Sequence, residues 1–218
     1  MFRTKVCGIT SVDDARLCCQ YQIEAIGLNF YDASPRSVSL EQAIEIAHAV
    51  RSQIQLVGVF VNHSHDEIRS IHQAVGLDLI QLHGDEDPAF LRALKDLRLI
   101  KAFRCKDSGL GPVVDYLAAC TTLDITLEAL LLDAYQADTF GGTGSSLNWN
   151  SLKNKSHLFG GYKWILAGGL CAENVAAAIV AAEPSAIDVA SGVESEPGIK
   201  LASAIEQLAR NAAAAFDS

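Results

Sequence analysis

Eight short apolar segments recur along the chain, each followed by a polar turn and, in most cases, by a helical pattern. Continuous apolar runs of this length, bounded by Gly or polar residues, are typical of parallel strands buried on both faces. The repeat therefore predicts an α/β protein built around a parallel sheet. The predicted strands are Thr4–Cys7, Ala25–Asn29, Leu56–Phe60, Leu79–Leu82, Leu99–Phe103, Ala129–Leu132, Lys163–Leu166 and Ala186–Val189.

Amphipathic patterns predict helices between most of these strands. Ser11 precedes the first helix, Ser39 precedes the second with Gln42 three residues on, and Pro88 opens the fourth, all of which are helix-start signals. After the sixth strand the Gly-rich stretch Thr139–Trp149 takes the place of a helix. The predicted helices are Val12–Tyr21, Leu40–Ala49, Asp66–Ala74, Pro88–Leu94, Pro112–Cys120, Glu173–Ala182 and Lys200–Ala215.

The spacing of the units favours a closed barrel. Eight strands in 218 residues give about 27 residues per unit, which is short but sufficient for a (β/α)₈ (TIM) barrel. A doubly wound open sheet is the alternative. The units are nearly equal and no change of composition or linker divides them, so we expect one α/β domain over 1–218, a barrel with a short or missing sixth helix.

Composition narrows the partners and the compartment. A net charge of −9 argues against nucleic acid or an anionic membrane as the main partner. The start of the chain lacks the apolar region of a secretory signal, and no apolar run approaches the ~20 residues of a membrane span. The cysteines form no C-x-x-C pair, so we expect reduced thiols in a cytoplasmic protein. They are Cys7, Cys18, Cys19, Cys105, Cys120 and Cys171.

Three glycine-containing turns are candidates for binding phosphate. They are 141–144, which includes Gly142, Thr143 and Gly144, then Gly168-Gly169, and Ser191-Gly192. Glycines leave successive backbone N–H groups accessible to an anion, although a Gly/Ser run can also be only a flexible connection. In a (β/α)₈ barrel the phosphate site commonly follows strands seven and eight, where the last two turns fall.

Two residues at predicted strand ends are candidates for proton transfer. Cys7 ends the first strand, either as a small buried hydrophobe or as a thiolate whose pKa is lowered by helix N-termini at the barrel mouth. Asp133 follows Leu130-Leu131-Leu132, either as a turn or cap residue or as a general acid. Partial burial and a nearby phosphate would favour its protonated form. The other cysteines are expected to be structural.

Three further residues are candidates for substrate binding. Arg36, in the loop after the second strand, suits a bidentate grip on a carboxylate, although most loop arginines are simply solvated. His83 closes the fourth strand and either orients substrate or makes a structural hydrogen bond. Asp188 lies in the eighth strand, where the structural alternative is a buried carboxylate that accepts hydrogen bonds from loop N–H groups.

The segment His63-Ser64-His65-Asp66 follows the third strand and raises the possibility of a metal site. No other strand end supplies a His–carboxylate set to complete one. We therefore interpret it as the capped start of the third helix and predict no metal.

Several motifs together resemble the phosphoribosylanthranilate isomerase family of tryptophan biosynthesis. The resemblance runs from about Lys5 to Lys200, in the family's order and spacing. The motifs are Lys5-Val6-Cys7-Gly8-Ile9-Thr10, Gly27-Leu28-Asn29-Phe30 with Ser34-Pro35-Arg36, Val57-Gly58-Val59-Phe60-Val61-Asn62, Gln81-Leu82-His83-Gly84, Leu131-Leu132-Asp133, Gly141-Gly142-Thr143-Gly144, Ala167-Gly168-Gly169-Leu170 with Asn174-Val175, and Asp188 through Glu194.

The resemblance implies a (β/α)₈ barrel that carries out an Amadori rearrangement of N-(5-phosphoribosyl)anthranilate. It implies that Cys7 is the general base, that Asp133 is the general acid and that Arg36 holds the anthranilate carboxylate. The three glycine turns would hold the phosphate, with His83 and Asp188 also at the substrate. No cofactor is implied, because the substrate's own nitrogen serves as the electron sink. The expected partner is a small phosphosugar, and the protein is expected to be a monomer or homodimer.

The chain departs from the family pattern at two places. Leu201 follows Lys200 where the family has an aspartate, which predicts a lost cap or contact at the last helix. Leu147-Asn148-Trp149 replaces Phe-Asp-Trp, which affects the packing of the short sixth helix.

Two other functions stay open at this point. One is a non-catalytic barrel that binds a phosphosugar, and the other is a different phosphosugar enzyme. An enzyme with two carboxylates would place an acid where Cys7 stands. A Schiff-base lyase would need a lysine at the carboxyl end of a strand. Lys5 and Lys163 are the candidates, but both lie early in their strands.

Overall fold

The computed structural model describes residues 1–105, 109–133, 149 and 152–218. It confirms a closed barrel of eight parallel strands, in which each strand pairs with the next along the chain and β8 closes on β1. The predicted strands all form, with ends that shift by no more than one residue. The strands are β1 Thr4–Cys7, β2 Ala25–Asn29, β3 Gln55–Phe60, β4 Leu79–Leu82, β5 Leu99–Arg104, β6 Ala129–Asp133, β7 Lys163–Ala167 and β8 Ala186–Val189.

Helices follow the strands as the sequence pattern predicts. Ser11, Ser39 and Ser64 each cap a helix through the side-chain oxygen, and the last two complete capping boxes with Gln42 and Glu67. The helices are α1 Val12–Gln20, α2 Leu40–Val50, α3 His65–Val75, α4 Pro88–Leu91 (continued by a 3₁₀ turn, Arg92–Leu94), α5 Gly111–Thr122, α6 Val175–Ala182 and α7 Ala202–Phe216; a 3₁₀ turn, Ser156–Phe159, precedes β7.

Alternation along the strands divides the core into two layers. The outer apolar layer lies between strands and helices and includes Val6, Leu130 and Ile187. The inner layer fills the barrel with alternate strand residues and is joined at the base by Phe2. Its members are Phe2, Ala25, Val57, Leu79, Ile100, Ala102, Ala129, Leu131, Ile165, Ala167 and Ala186.

The same two-residue period makes the inner face polar toward the carboxyl ends of the strands. Lys5 and Cys7 follow the inward phase of β1, Gln81 that of β4, Asp133 that of β6 and Asp188 that of β8. The carboxyl end of the barrel interior is therefore where titratable groups converge.

The region after β8 differs from the prediction. A two-stranded hairpin, β9 Glu194–Glu196 and β10 Ile199–Lys200, precedes the last helix. The prediction that this helix begins at Lys200 is wrong, because the Lys200 side chain is fully buried in ion-pair contacts and its backbone is a strand. Helix α7 begins at Ala202, and Leu201 occupies its N-cap without a side-chain hydrogen bond, as the departure at Leu201 predicts.

Apart from Trp149, the Gly-rich stretch 139–149 lies outside the described residues, as do Leu147 and Asn148. In the part of the chain that the structure does describe, none of the helices combines the length and apolar character needed to cross a membrane.

Candidate active site

A cavity of about 380 Å³ opens at the carboxyl ends of the strands. Eight of the residues singled out from the sequence line it, although they come from six different strand ends and the loops that follow them. These are Cys7, Arg36, His83, Asp133, Gly168, Gly169, Asp188 and Ser191. Barrel closure therefore brings the candidate acid, base, arginine and two of the three glycine turns to one place.

Cys7 lies beside a buried ion pair that the sequence did not predict. Lys5 Nζ donates to Asp188 Oδ2 over 2.8 Å, and the lysine side chain is fully buried. Asp188 therefore contacts the ammonium group of Lys5, and not the loop N–H groups that the structural alternative assigned to it. Asp188 Oδ1 is also buried and has no hydrogen-bond partner among the described residues, so it is available to a bound ligand.

The environment of Cys7 does not match the alternative in which helix N-termini lower its pKa. Burial raises the pKa of the thiol above its ordinary value of 9.0, and Lys5 and Lys200 only partly oppose that shift. The free protein therefore holds Cys7 mainly as a thiol at neutral pH, with a cation beside it that stabilises the thiolate when the proton leaves.

Gly27 on β2 leaves the space that Cys7 and Lys5 occupy. A Cβ atom on Gly27 would lie 2.7 Å from Cys7 Sγ and 3.1 Å from Lys5 Cε. A side chain at residue 27 would therefore force Cys7 or Lys5 to move, which explains a glycine inside a buried strand.

Asp133 ends β6 and faces His83 across the cavity. His83 Nε2 lies 3.6 Å from Asp133 Oδ2, and His83 Nδ1 lies 3.2 Å from the amide nitrogen of Gln81. If that amide donates to Nδ1, the neutral imidazole carries its proton on Nε2, toward Asp133. Gln81 is nearly fully buried, and sequence reasoning used it only as part of a motif.

Arg36 is only partly exposed and is paired with a carboxylate. Its guanidinium forms a bidentate pair with Glu194, a residue of β9 that sequence reasoning quoted in a motif without giving it a role. Lys200 joins the same carboxylate. No local pattern indicates these contacts, since Arg36 and Glu194 are 158 residues apart in sequence.

The turn after β7 is built as an anion site would require. Gly168 and Gly169 have φ angles of +93° and +66°, which favour glycine over other residues. Asn174 braces the turn, since its side-chain nitrogen donates to Gly169 O over 2.9 Å and its oxygen accepts from Cys171 N over 2.8 Å. Helix α6 begins directly afterwards, at Val175.

The turn after β8 packs against the first. Gly192 forms a bridge with Cys171, and a Cβ atom on Gly192 would lie 1.9 Å from Leu170 O, so Gly192 is required by this close backbone approach. Ser191 is the residue of this turn that lines the cavity. The third predicted turn, with Gly142, Thr143 and Gly144, lies outside the described residues.

The histidines after β3 serve other contacts. His65 Nε2 lies 2.9 Å from Phe90 O, and His63 Nδ1 accepts from Val61 N over 3.3 Å. Among the described residues no group of three or more His, Cys, Asp or Glu side chains could hold a metal ion. The interpretation as a capped helix start agrees with Ser64 at the N-cap of α3.

The two lysines considered for a Schiff-base lyase do not lie where that reaction would need them. Lys5 is held as an ammonium group by Asp188, and Lys163 is exposed at the amino end of β7, away from the cavity. Neither places a neutral amine at the carboxyl end of a strand.

The structure therefore defines a (β/α)₈ barrel whose candidate acid, base and arginine meet in one cavity at the carboxyl ends of the strands. The comparison with known proteins then identifies the family. The family model described as N-(5'-phosphoribosyl)anthranilate (PRA) isomerase matches residues 4–211, so the chain belongs to that family.

Individual members of the family are similar to this chain over nearly its whole length. The N-(5'-phosphoribosyl)anthranilate isomerase of Geobacter sulfurreducens is 43% identical over 213 residues, which cover 97% of this chain and 98% of the relative. The crystal structure of phosphoribosyl anthranilate isomerase from Thermotoga maritima superposes with a TM-score of 0.86 at 32% identity, covering 98% of this chain and 100% of that one. A crystal structure of the isomerase in complex with reduced 1-(o-carboxyphenylamino)-1-deoxyribulose 5-phosphate superposes with a TM-score of 0.83 at 30% identity, with the same coverage.

Proposed function

We propose that this isomerase rearranges N-(5'-phosphoribosyl)anthranilate to 1-(2-carboxyphenylamino)-1-deoxyribulose 5-phosphate with Asp133 as general acid and Cys7 as general base. Family membership gives the reaction, a step of tryptophan biosynthesis. The observation that supports the two roles is that Cys7 and Asp133 line one cavity, at the carboxyl ends of β1 and β6.

Asp133 acts in the first step. The aminosugar ring opens when a proton reaches the ring oxygen as its bond to the anomeric carbon breaks, and this leaves a protonated Schiff base. Asp133 in its protonated form supplies that proton, and His83 Nε2, 3.6 Å from Oδ2, then faces the resulting carboxylate.

Cys7 acts in the second step. The protonated Schiff base withdraws electrons and acidifies the neighbouring C2–H, whose proton is transferred to the Cys7 thiolate. The C2–H electrons form the enolamine, which tautomerises to the ketone. Lys5 supports the thiolate that this step requires, since burial alone raises the pKa of Cys7.

Residues proposed to bind the substrate line the same cavity as Cys7 and Asp133. Arg36 would contact the anthranilate carboxylate, and the turns at Gly168-Gly169 and Ser191-Gly192 would hold the phosphate through backbone N–H groups, together with 142–144. The unpartnered Asp188 Oδ1 would accept a hydrogen bond from a sugar hydroxyl. His83 lines the same cavity.

The fluorescence of phosphoribosylanthranilate tests the proposal, because its decrease on adding purified protein follows turnover. We expect Cys7→Ala and Asp133→Ala each to keep the wild-type circular dichroism spectrum and to lose about 10²–10⁴-fold in kcat. Matched controls are Cys19→Ala and Asp115→Ala, both on outer helices, which we expect to turn over as wild type does. Near-wild-type turnover in both active-site variants would overturn the roles.

We expect a cytoplasmic enzyme that is a monomer or a homodimer and acts on a small phosphosugar. Sedimentation velocity on the purified chain distinguishes the two oligomeric states.

A further inference from the structure

A buried cluster of three charged side chains joins the loop after β2 to the hairpin after β8. Arg36 Nε lies 2.8 Å from Glu194 Oε1, and Arg36 Nη2 lies 2.6 Å from Glu194 Oε2. Lys200 Nζ lies 2.7 Å from Glu194 Oε1. The Glu194 carboxylate is 4% exposed and Lys200 is fully buried, so water screens these contacts only weakly.

The aliphatic part and the backbone of Arg36 also make close contacts. A Cβ atom on Gly8 would lie 2.5 Å from Arg36 Cδ, which shows how closely the aliphatic part crosses that glycine. The Arg36 N–H donates to Ser34 Oγ over 3.1 Å. The Arg36 side chain is therefore fixed at two places. Its aliphatic part packs against Gly8, and its guanidinium is paired with Glu194.

Lys200 ties this arrangement to the candidate base. Its ammonium group donates to Cys7 O over 2.6 Å and to Ala190 O over 3.3 Å, in addition to Glu194. The ammonium group of Lys200 thus links the end of β1, the turn after β8 and the hairpin. A shift of Glu194 would be transmitted to Arg36 directly and to Cys7 through Lys200.

The charges of the three ion-paired side chains do not balance. Two cations share one carboxylate, which leaves the cluster with one net positive charge, and Arg36 is its member that lines the cavity. Burial alone raises the pKa of Glu194, but hydrogen bonds from Arg36 and Lys200 outweigh burial and hold it below its ordinary 4.5, so the carboxylate stays ionised at neutral pH. No acceptor for Arg36 Nη1 is found among the described residues, so its donors are open to an incoming anion.

We propose that Glu194 is a positioning residue that holds the Arg36 guanidinium in the orientation that grips the substrate carboxylate, with Lys200 anchoring Glu194 against the Cys7 backbone. The inference rests on the proposed contact between Arg36 and that carboxylate. Fixing the guanidinium before the substrate arrives removes the entropy cost of ordering a long side chain at binding.

The test compares two ligands that differ only in the carboxyl group. One is reduced 1-(o-carboxyphenylamino)-1-deoxyribulose 5-phosphate, and the other is its phenylamino counterpart without the carboxyl group. Calorimetry measures both affinities for the wild type, Glu194→Gln, Arg36→Met and the double variant. Glu196→Gln, on the same hairpin but exposed, is the matched control.

We expect wild type and Glu196→Gln to prefer the carboxylated ligand, and Glu194→Gln to lose that preference by about tenfold or more. Affinity for the phenylamino ligand should change less than about threefold, which separates positioning from a general loss of structure. Arg36→Met should lose the preference as well, and the double variant should lose no more than Arg36→Met alone.

Any of three outcomes overturns the inference. If Arg36→Met loses the preference while Glu194→Gln keeps it, or if Glu194→Gln weakens both ligands equally, Glu194 does not position Arg36. If Arg36→Met itself keeps the preference, the proposed contact of Arg36 fails and the inference with it. Should Glu194→Gln not fold, Glu194→Asp replaces it, and a full wild-type preference there contradicts the inference.

Discussion

The ammonium group of Lys5 lies 2.8 Å from the carboxylate of Asp188, and both side chains are buried inside the barrel. The two residues are direct neighbours in the register of β1 and β8, the strands that close the barrel. Cys7 is two residues beyond Lys5 on the same inward phase of β1, so the ion pair lies next to the candidate base.

Replacing Lys5 by Met should make Cys7 harder to ionise. Lys5 opposes the rise in the Cys7 pKa, while burial and Asp188 promote it, so removing the cation raises the pKa further. We expect slower alkylation of Cys7 by iodoacetamide at pH 8, measured site by site by mass spectrometry, and a lower kcat. Lys163→Met, at the exposed start of β7, is the control. Equal alkylation rates in wild type and Lys5→Met would contradict the role of Lys5.

The alkylation of wild-type Cys7 should depend on pH in a definite direction. A thiol whose pKa is raised above 9.0 stays protonated through neutral pH, so the thiolate fraction rises only as pH passes that ordinary value. We expect the rate at Cys7 to keep rising above pH 9. In denaturant the alkylation rate at the same thiol should level off at a lower pH than in the folded protein, because unfolding removes the burial that raises its pKa. A plateau at a lower pH in the folded protein than in denaturant would show that the environment of Cys7 favours the thiolate.

Gly27→Ala should damage turnover more than folding. The new Cβ atom would lie 2.7 Å from Cys7 Sγ, so the thiol must move, and a displacement of about 1 Å can cost roughly 10²-fold in rate. Overpacking of this kind costs about 1–3 kcal/mol of unfolding free energy. Steady-state kinetics and urea unfolding measure the two effects. Gly111→Ala, where an added Cβ has no atom within 4 Å, is the control, and equal kcat in both variants would contradict the steric argument.

Glu86→Gln should lower the stability of the barrel. Glu86 Oε2 lies 2.8 Å from Lys101 Nζ, and both side chains are almost completely buried. Removing one charge leaves Lys101 buried without its counterion, which costs about 3–5 kcal/mol. Urea unfolding should show this loss, whereas Glu206→Gln, in an exposed pair with Arg210, should change little. Comparable urea-unfolding midpoints for the two variants would show that the buried ion pair contributes no more to stability than the exposed one.

Much of the fold and part of the site follow from local pattern. Short apolar runs alternating with helices identify the strands, because parallel strands covered on both sides must be apolar throughout. The two-residue period then places Cys7, Asp133 and Asp188 on the inward phase of their strands. A polar residue at the carboxyl end of such a strand is costly unless it faces a polar mouth, so these positions stand out in the sequence itself.

What the tertiary structure alone decided is how those residues are held. The pairs Lys5–Asp188 and Arg36–Glu194 join residues 183 and 158 positions apart, and no periodicity reports a contact made only when the barrel closes. Lys200 illustrates the same limit, since its local sequence predicts the start of a helix. Burial of its ammonium group against Cys7 O and Glu194 instead places it in a hairpin strand. Local sequence determines which face of an element is buried, whereas the partners of a buried charge depend on the neighbours that the whole fold supplies.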